Sequence, residues 1–446
     1  MALALACAIL PYAPASAETL AEALASAYTN NPTLNAQRAA LRATDEGVPT
    51  ALGGFRPTVT GSASAGISTA TTGAGSSGTL YPRTLSLSIE QPIFTGGRTL
   101  NGVKIAETAV LAGRESLRLS EQDTLLNAVT AFMNLVQAQA LLNLRKENVD
   151  FQRQQVRAAQ DRLNVGEGTR TDVAQTNASL AAGQAAYNAA VASLNSALAV
   201  YEQVVGHRPK SLGAATPIDG LLSKTLNAAI ADATAGHPAI LAAGYNVDIA
   251  TYNVKVVEGS LMPTLSLSGT LSHSDDTSSS GSWSNSASAV ARLSVPIYAG
   301  GTVSAKVRAA KETLGQRRIE LDATRDSIRQ AVISAWGQLD AARAQITAAQ
   351  AQVDAENLVL SGVSEQQKVG QSTTLDVLNA QQALLNARVT LISAQHDRVI
   401  ASYALLAAIG KLNAEVLKLK VAHYDPTDHY TKVRDKWGGL RTPDGR

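Results

Sequence analysis

The polar and apolar positions along the chain change period several times, and each change marks an element. Leu85, Leu87 and Ile89 fall on one side of an alternation whose other side is Ser86, Ser88 and Glu90. Leu265, Leu267 and Leu271 alternate in the same way with Ser266, Ser268, Thr270 and Ser272. A period of two puts successive side chains on opposite faces and predicts strands. Weaker versions run from Val59 to Ile67 and from Ala289 to Val295. The polar face is Ser and Thr rather than charged. The apolar face has no partner elsewhere in the chain, so lipid or a core must cover it. Gly/Ser-rich tracts, Ala70 to Thr79 and Ser274 to Ser282, join the strands. They fit extracellular loops, with Tyr81 and Trp283 as interfacial anchors. The competing reading is a pair of soluble β-hairpins.

The helical pattern decides between them. No proline occurs from Arg98 to Val165, a run of roughly 100 Å at 1.5 Å per residue, nor over the matching stretch from Thr302 to Val369. Helices of that length predict a coiled coil. Leu125, Val129, Phe132 and Val136 keep the 4-3-4 spacing of such a seam, as do Ile328, Val332, Ala335 and Leu339. Shorter helices are expected at about Arg170 to Val205 and Ser372 to Ile409, after each long one. Opening helices are expected at about Thr19 to Thr50 and Ser223 to Glu258. Two short helices stacked end to end have about the length of one long helix and can run beside it.

The chain is therefore two copies of one unit. Gln91-Pro92-Ile93-Phe94-Thr95-Gly96-Gly97 matches Val295-Pro296-Ile297-Tyr298-Ala299-Gly300-Gly301 at an offset of 204 residues. Val165-Gly166 matches Val369-Gly370, Asp172-Val173 matches Asp376-Val377, and Gly206 matches Gly410 at the same offset. Upstream, Asn31-Pro32 pairs with His237-Pro238 and Pro57 with Pro263 at an offset of 206. Repeat 1 spans 18–222, with strands over about 57–94 and helices over 98–165 and 170–205. Repeat 2 spans 223–411, with strands over about 263–298 and helices over 302–369 and 372–409. A tail, 412–446, follows. Pro92, Gly96, Gly97, Pro296, Gly300 and Gly301 form the strand-to-helix joints.

Composition sharpens this picture. Apolar residues make up 45% of the 446 residues, but aromatics only 4%. Much of the apolar fraction is alanine, which suits closely packed helices better than a bulky core. The net charge of +2 gives no footprint for nucleic acid. The one cysteine, Cys7, lies in an apolar N-terminal stretch that ends in Ala15-Ser16-Ala17, so residues 1–17 read as a secretory signal peptide. Lipidation at Cys7 is the weaker reading. No later run of about 20 apolar residues predicts a transmembrane helix. His207, His237, His273, His396, His423 and His429 form no i, i+4 pair and no HExxH motif. No metal site, cofactor or catalytic constellation is implied.

Four strands cannot close a barrel, for which about eight are the minimum, and open sheet edges are not viable in lipid. The chain needs copies of itself. Three give about 12 strands and a lumen; two would give eight, whose interior fills with side chains.

The tandem repeat, the Pro-Ile-Phe-x-Gly-Gly joint and the turns Arg162 to Thr169 and Lys368 to Leu378 resemble the TolC family over nearly the whole chain. The tail from Tyr424-Asp425-Pro426 resembles that of alphaproteobacterial members. The resemblance implies an α+β membrane protein: a tandem-repeat protomer giving a homotrimer, with a 12-stranded outer-membrane β-barrel continuous with a long periplasmic α-helical coiled-coil barrel. It implies the exit duct of a tripartite efflux pump or type I secretion system, without catalysis. The implied partners are a periplasmic adaptor (a membrane fusion protein) and an inner-membrane RND or ABC transporter. A periplasmic adaptor itself would show one hairpin rather than two copies, and a passive porin would lack the long helices.

The resemblance also implies roles for residues. The helix-turn-helix tips, Leu163, Asn164, Val165, Gly166, Glu167 and Gly168, with Lys368, Val369, Gly370 and Gln371, are expected to meet the adaptor. Gly166 and Gly370 stand where a C′ glycine ends a helix. Asp376 corresponds to one of two aspartates that ring the lumen at the periplasmic constriction, with Asn379 in place of the second. Asp172 and Thr171 match positions that hold the gate shut through a tyrosine and an arginine, where this chain has Gln367 and Ser372. Arg170 is the candidate substitute. The bland reading of both aspartates is favourable placement in the first turn of a helix.

Overall fold

A computed structural model describes residues 17–71, 77–209 and 211–445. The expected signal peptide, but for Ala17, and part of the first Gly/Ser loop lie outside the described residues. Two compact units emerge. One gathers the chain up to Gln37, Arg118–Pro238 and Asp326–Tyr424; the other gathers Arg38–Leu117, Ala239–Arg325 and Asp425–Arg446.

In chain order, helices α1 (Leu20–Asn30), α2 (Pro32–Asp45) and α3 (Gly47–Leu52) lead to strands β1 (Thr58–Ala65), β2 (Ser68–Thr71), β3 (Ser77–Leu80) and β4 (Arg83–Phe94). Helices α4 (Arg98–Asn164), α5 (Arg170–Val205), α6 (Leu226–Gly236) and α7 (Pro238–Glu258) follow. Strands β5 (Thr264–Asp275) and β6 (Trp283–Ser294), helices α8 (Thr302–Lys368) and α9 (Thr374–Ala408), and the short α10 (Asp428–Val433) complete the chain. Both α4 and α8 contain 67 residues.

Each opening helix expected as one piece is broken. Pro32 and Pro238 have no N–H to donate and clash with the preceding turn. Asn31 is therefore extended at φ −61°, ψ 122°, and His237 at φ −67°, ψ 126°. Asn31 repairs the break. Its Oδ1 accepts the N–H of Thr33 at 2.9 Å and of Leu34 at 3.2 Å, and its Nδ2 donates to the Val204 carbonyl at 3.0 Å. Two further boundaries differ. The last strand ends at Ser294 instead of continuing to residue 298, because Ser294 pairs with Thr264, the first residue of its partner β5. The last long-range helix begins at Thr374, since Thr373 is its N-cap.

The helical unit is cored by the predicted seams. Leu125, Val129 and Phe132 are fully buried, and the Phe132 and Tyr201 rings lie 6.3 Å apart. In the second copy Val332, Ala335 and Leu339 pack with Ala229, Ala233, Ala401, Leu405 and Ile409, with Trp336 against them. Alanines at these positions let the helices approach closely. A window of α4 with mean hydropathy 1.4 is long and apolar enough, by length and composition, to cross a membrane, contrary to the sequence expectation. The same helix carries the buried Leu125, Ala128, Val129 and Phe132, so the apolarity has a bundle core to serve.

The other unit contains an antiparallel sheet in the order β1-β4-β5-β6, with β2 and β3 as a separate small ladder. Odd-numbered residues share one face: Ala63 opposes Leu85, and Leu87 opposes Leu271, which opposes Ala287. Leu85, Leu87, Ile89, Leu267 and Leu271 on that face are exposed. The opposite face is knitted by hydroxyls, with Ser62 and Ser86 at 2.6 Å and Ser272 and Ser286 at 2.7 Å. β1 and β6 are the unpaired edges.

Candidate functional site

The two helix-turn-helix tips are built alike, from the backbone upward. At the first, Gly166 takes φ +82°, the left-handed region that costs an L side chain energy. This lets the N–H of Glu167 reach the Arg162 carbonyl at 2.8 Å and the N–H of Gly166 reach that of Leu163 at 3.1 Å. The second tip repeats both bonds, Gln371 to Gln366 at 2.9 Å and Gly370 to Gln367 at 3.1 Å, with Gly370 at φ +77°. These paired bonds are the Schellman closure, which satisfies carbonyls that the helix end leaves free. Val165 and Val369 at the apices are both 70% exposed.

The returning helices start on reciprocal caps. Thr169 Oγ1 accepts the Asp172 N–H at 3.1 Å, while Asp172 Oδ2 accepts the Thr169 N–H at 3.0 Å and its hydroxyl at 2.6 Å. Thr373 and Asp376 repeat this at 3.2, 2.8 and 2.6 Å. Such a box satisfies orphan donors of the first turn. The Thr169 hydroxyl and backbone hold the Asp172 carboxyl below the usual range, and Thr373 does the same for Asp376. Both are carboxylates at neutral pH.

The expected gate residues have other partners here. Gln367 Nε2 donates to Thr374 Oγ1 at 3.3 Å, and Ser372 Oγ donates to Gln366 Oε1 at 3.0 Å. The bonds of Asp172 run to Thr169, not to Arg170, which is exposed together with Thr171. Thr374, 7% exposed, also lowers the Asp172 carboxyl through its hydroxyl. Its hydroxyl accepts the Gln367 bond within the second tip. Sequence reading passed over it because a threonine after an N-cap threonine carries no signal of its own.

Behind the tips, α4, α5 and α9 line a cleft of about 550 Å³ that includes Arg145, Gln152, Gln175, Asn379 and Gln382. Its wall is mixed, with Ala178, Ala182, Leu375 and Leu378 beside these polar groups. Gln381 Nε2 donates to the buried Asn148 at 3.3 Å. Gln152 is 4% exposed and its Oε1 has no hydrogen-bond partner. It lies against Gly183, where a Cβ would collide with its carboxamide. At the strand-to-helix joints Gly96, Gly97, Gly300 and Gly301 all have positive φ. A Cβ at Gly96 would strike the Gly259 carbonyl. Among the described residues no cluster of three or more metal-ligating side chains occurs.

The description of the Outer membrane efflux protein family matches residues 23–207 and again 229–411, one match for each repeat. The chain is 47% identical over 435 residues to the outer membrane efflux protein BepC of Brucella suis, covering 97% of this chain and 94% of that one. It is 25% identical over 347 residues to the outer membrane protein TolC of Escherichia coli, covering 74% and 70%. The crystal structure of the Campylobacter jejuni CmeC outer membrane channel shares the fold, with a TM-score of 0.76 at 17% identity, over 93% of this chain and 89% of that one. With each half of the tandem repeat matched by the same description, the chain belongs to the outer membrane efflux protein family, the TolC-like channels of the outer membrane.

Proposed function

We propose that this outer-membrane exit duct works as a homotrimer, gated at its periplasmic end by the Asp376 tip, and that both tips receive a periplasmic adaptor serving an inner-membrane RND or ABC transporter. The observation that carries the trimer is the sheet with two free edges. In lipid each unpaired backbone group costs several kcal/mol, so β6 of one copy must meet β1 of the next. The repeat supplies the pattern for that seam, because β6 is the counterpart of β4 and β1 that of β5. Carrying the pairs Leu85–His273, Leu87–Leu271 and Ile89–Gly269 across by the repeat offsets puts Ala289 opposite Ile67, Ala291 opposite Ala65, and Leu293 opposite Ala63. Each of these three pairs sets an apolar residue against an apolar one. The joints follow suit: Gly96 packs on Gly259, while their counterparts Gly300 and Gly53 have nothing within 4 Å among the described residues.

In a trimer three exposed, ionised Asp376 side chains would surround one axis and favour cations. Asn379, uncharged, weakens that ring relative to the two-aspartate pattern of the resemblance. The bonds of Gln367 and Ser372 are local to the second tip. Support for docking comes from the apices, whose exposed Val165 and Val369 end long helices far from the sheet residues in sequence. The test is conductance of the purified protein in a planar lipid bilayer, with and without Asp376→Asn, which keeps an acceptor toward Thr373 and removes the charge. Small cation-selective steps that lose selectivity in the variant are expected. Selectivity unchanged by the substitution would remove Asp376 from the constriction.

A further inference from the structure

The chain beyond Asp425 has no part in the duct just described, yet it is held firmly in the unit that carries the sheet. His429 Nδ1 lies 3.0 Å from Asp45 Oδ2, with the two side chains 12% and 1% exposed. Val433 is fully buried, the Arg114 guanidinium lies 5.3 Å over the Tyr430 ring, and Arg434 lies 3.6 Å from Glu107. The segment then reaches the root of the sheet. Arg56, two residues before β1, donates from Nη1 to the Lys436 carbonyl at 2.7 Å and covers one face of Trp437 at 4.7 Å. Lys436 Nζ donates to the Arg441 carbonyl at 2.7 Å, closing a loop that turns at Gly439, φ +105°. Out of that loop stand Trp437, 75% exposed, and Leu440, fully exposed.

The position of this loop relative to lipid follows from strand length. The 12 residues of β5 extend about 37 Å at 3.4 Å per step. At a tilt of about 40° they rise about 28 Å, close to the apolar band of about 25 Å of an outer-membrane barrel. Exposed Tyr81 and Trp283 mark the end of the sheet remote from the helices. The end at Arg56 therefore lies at the other headgroup layer. Tryptophan favours that layer, with its ring in apolar surroundings and its N–H wet. Arg56 lies over Trp437, and Lys436 and Arg441 flank the two apolar residues in sequence, with Asp435 and Asp444 as the nearby carboxylates. Basic groups beside an anionic leaflet are drawn to it.

We propose that the loop from Lys436 to Arg441 is a foot that seats the protein on the periplasmic leaflet of the outer membrane, Trp437 and Leu440 entering the lipid and the flanking basic groups meeting anionic phospholipid headgroups. This goes beyond the duct and its gate, and rests only on the sheet lying in the membrane. The test uses the full chain with Trp283→Phe and Trp336→Phe, which leaves Trp437 as the one tryptophan of three. It is reconstituted in vesicles of phosphatidylcholine and phosphatidylglycerol brominated either near the headgroup or deep in the acyl chain. Shallow bromines should quench Trp437 emission at least twofold, deep bromines clearly less. Quenching below a tenth at both depths would mean that the loop faces water or a neighbouring copy, and would overturn the proposal. Should the double substitution prevent assembly, Leu440→Cys carrying an environment-sensitive fluorophore in the otherwise native chain reads the same contrast. Conductance of these proteins, which the duct requires and the foot does not, separates failure of the two ideas.

Discussion

Single side chains decide how the tips hold and how the bundle behind them packs. Thr169 with Asp172, and Thr373 with Asp376, share one acid-dependent contact. Their carboxyls are depressed from 3.8 by bonds made only in the folded tip. A depressed folded pKa gives stability that is complete above the unfolded value and is lost as pH falls through the folded one. Hydrogen-exchange protection at residues 165–176 and 369–380 should hold from pH 7 to 5 and decline only below about pH 4. Decline already at pH 6 would assign the tips' stability to some other group. Gly183 is a different case. Its missing Cβ makes room for the Gln152 carboxamide, the far end of a flexible side chain beside the cleft, so Gly183→Ala should cost about 1 kcal/mol, the low end for an overpacking change. Adding Gln152→Ala should return most of it in thermal melts. Gly183 gave no sign of this in the sequence, where it is one small residue in an alanine-rich helix. Asp172 and Asp376 were legible from their place after the turns, but their reciprocal bonds with Thr169 and Thr373 form only once each turn is folded.

At the scale of elements, the long helices could be read directly, because 67 residues without proline and with a 4-3-4 seam admit no other structure. The tips could be read too, each from a valine and a glycine before a threonine cap. Gly370→Ala would place an L side chain at φ +77°, costing about 1–2 kcal/mol. It should raise protease sensitivity at the second tip and leave the first unchanged; equal sensitivity at both would show that the tips melt as one. The opening helices were harder. Their apolar pattern continues across Pro32 and Pro238, and periodicity alone cannot see the break that a missing N–H enforces. The loop between α5 and α6 carried no pattern at all, yet it is pinned. Asp219 receives Arg343 at 3.0 Å and Arg398 at 2.8 Å. Burial pushes its carboxyl up, and the two guanidinium bonds outweigh this and bring it down. Such long-range pairing between a loop and two helices has no local sequence signature.

For the whole molecule, the duplication is the organising fact. It made the architecture legible from one chain, since a four-stranded sheet with a matched half-repeat at each end calls for more copies. The proposed seam can be checked on the assembled protein. Ala63→Cys together with Leu293→Cys should oxidise to a covalently closed ring of three chains, whereas Ala63→Cys with Arg292→Cys, whose side chains leave opposite faces, should not. Cross-linking of the second pair in preference to the first would shift the register by one residue and put apolar side chains on the polar face. The sheet has a further consequence, in time rather than in space. β1 pairs with β4 early, but the other partner of β4 is β5, which arrives only after α4, α5, α6 and α7 have been made. Until then β4 offers an unpaired backbone edge to any other strand, and loop-closure entropy delays its proper partner. A nascent chain emerging N-terminus first must carry that sticky edge for the whole length of the intervening helices, so its safest route to the membrane is one in which another molecule shields the first hairpin until the second is delivered.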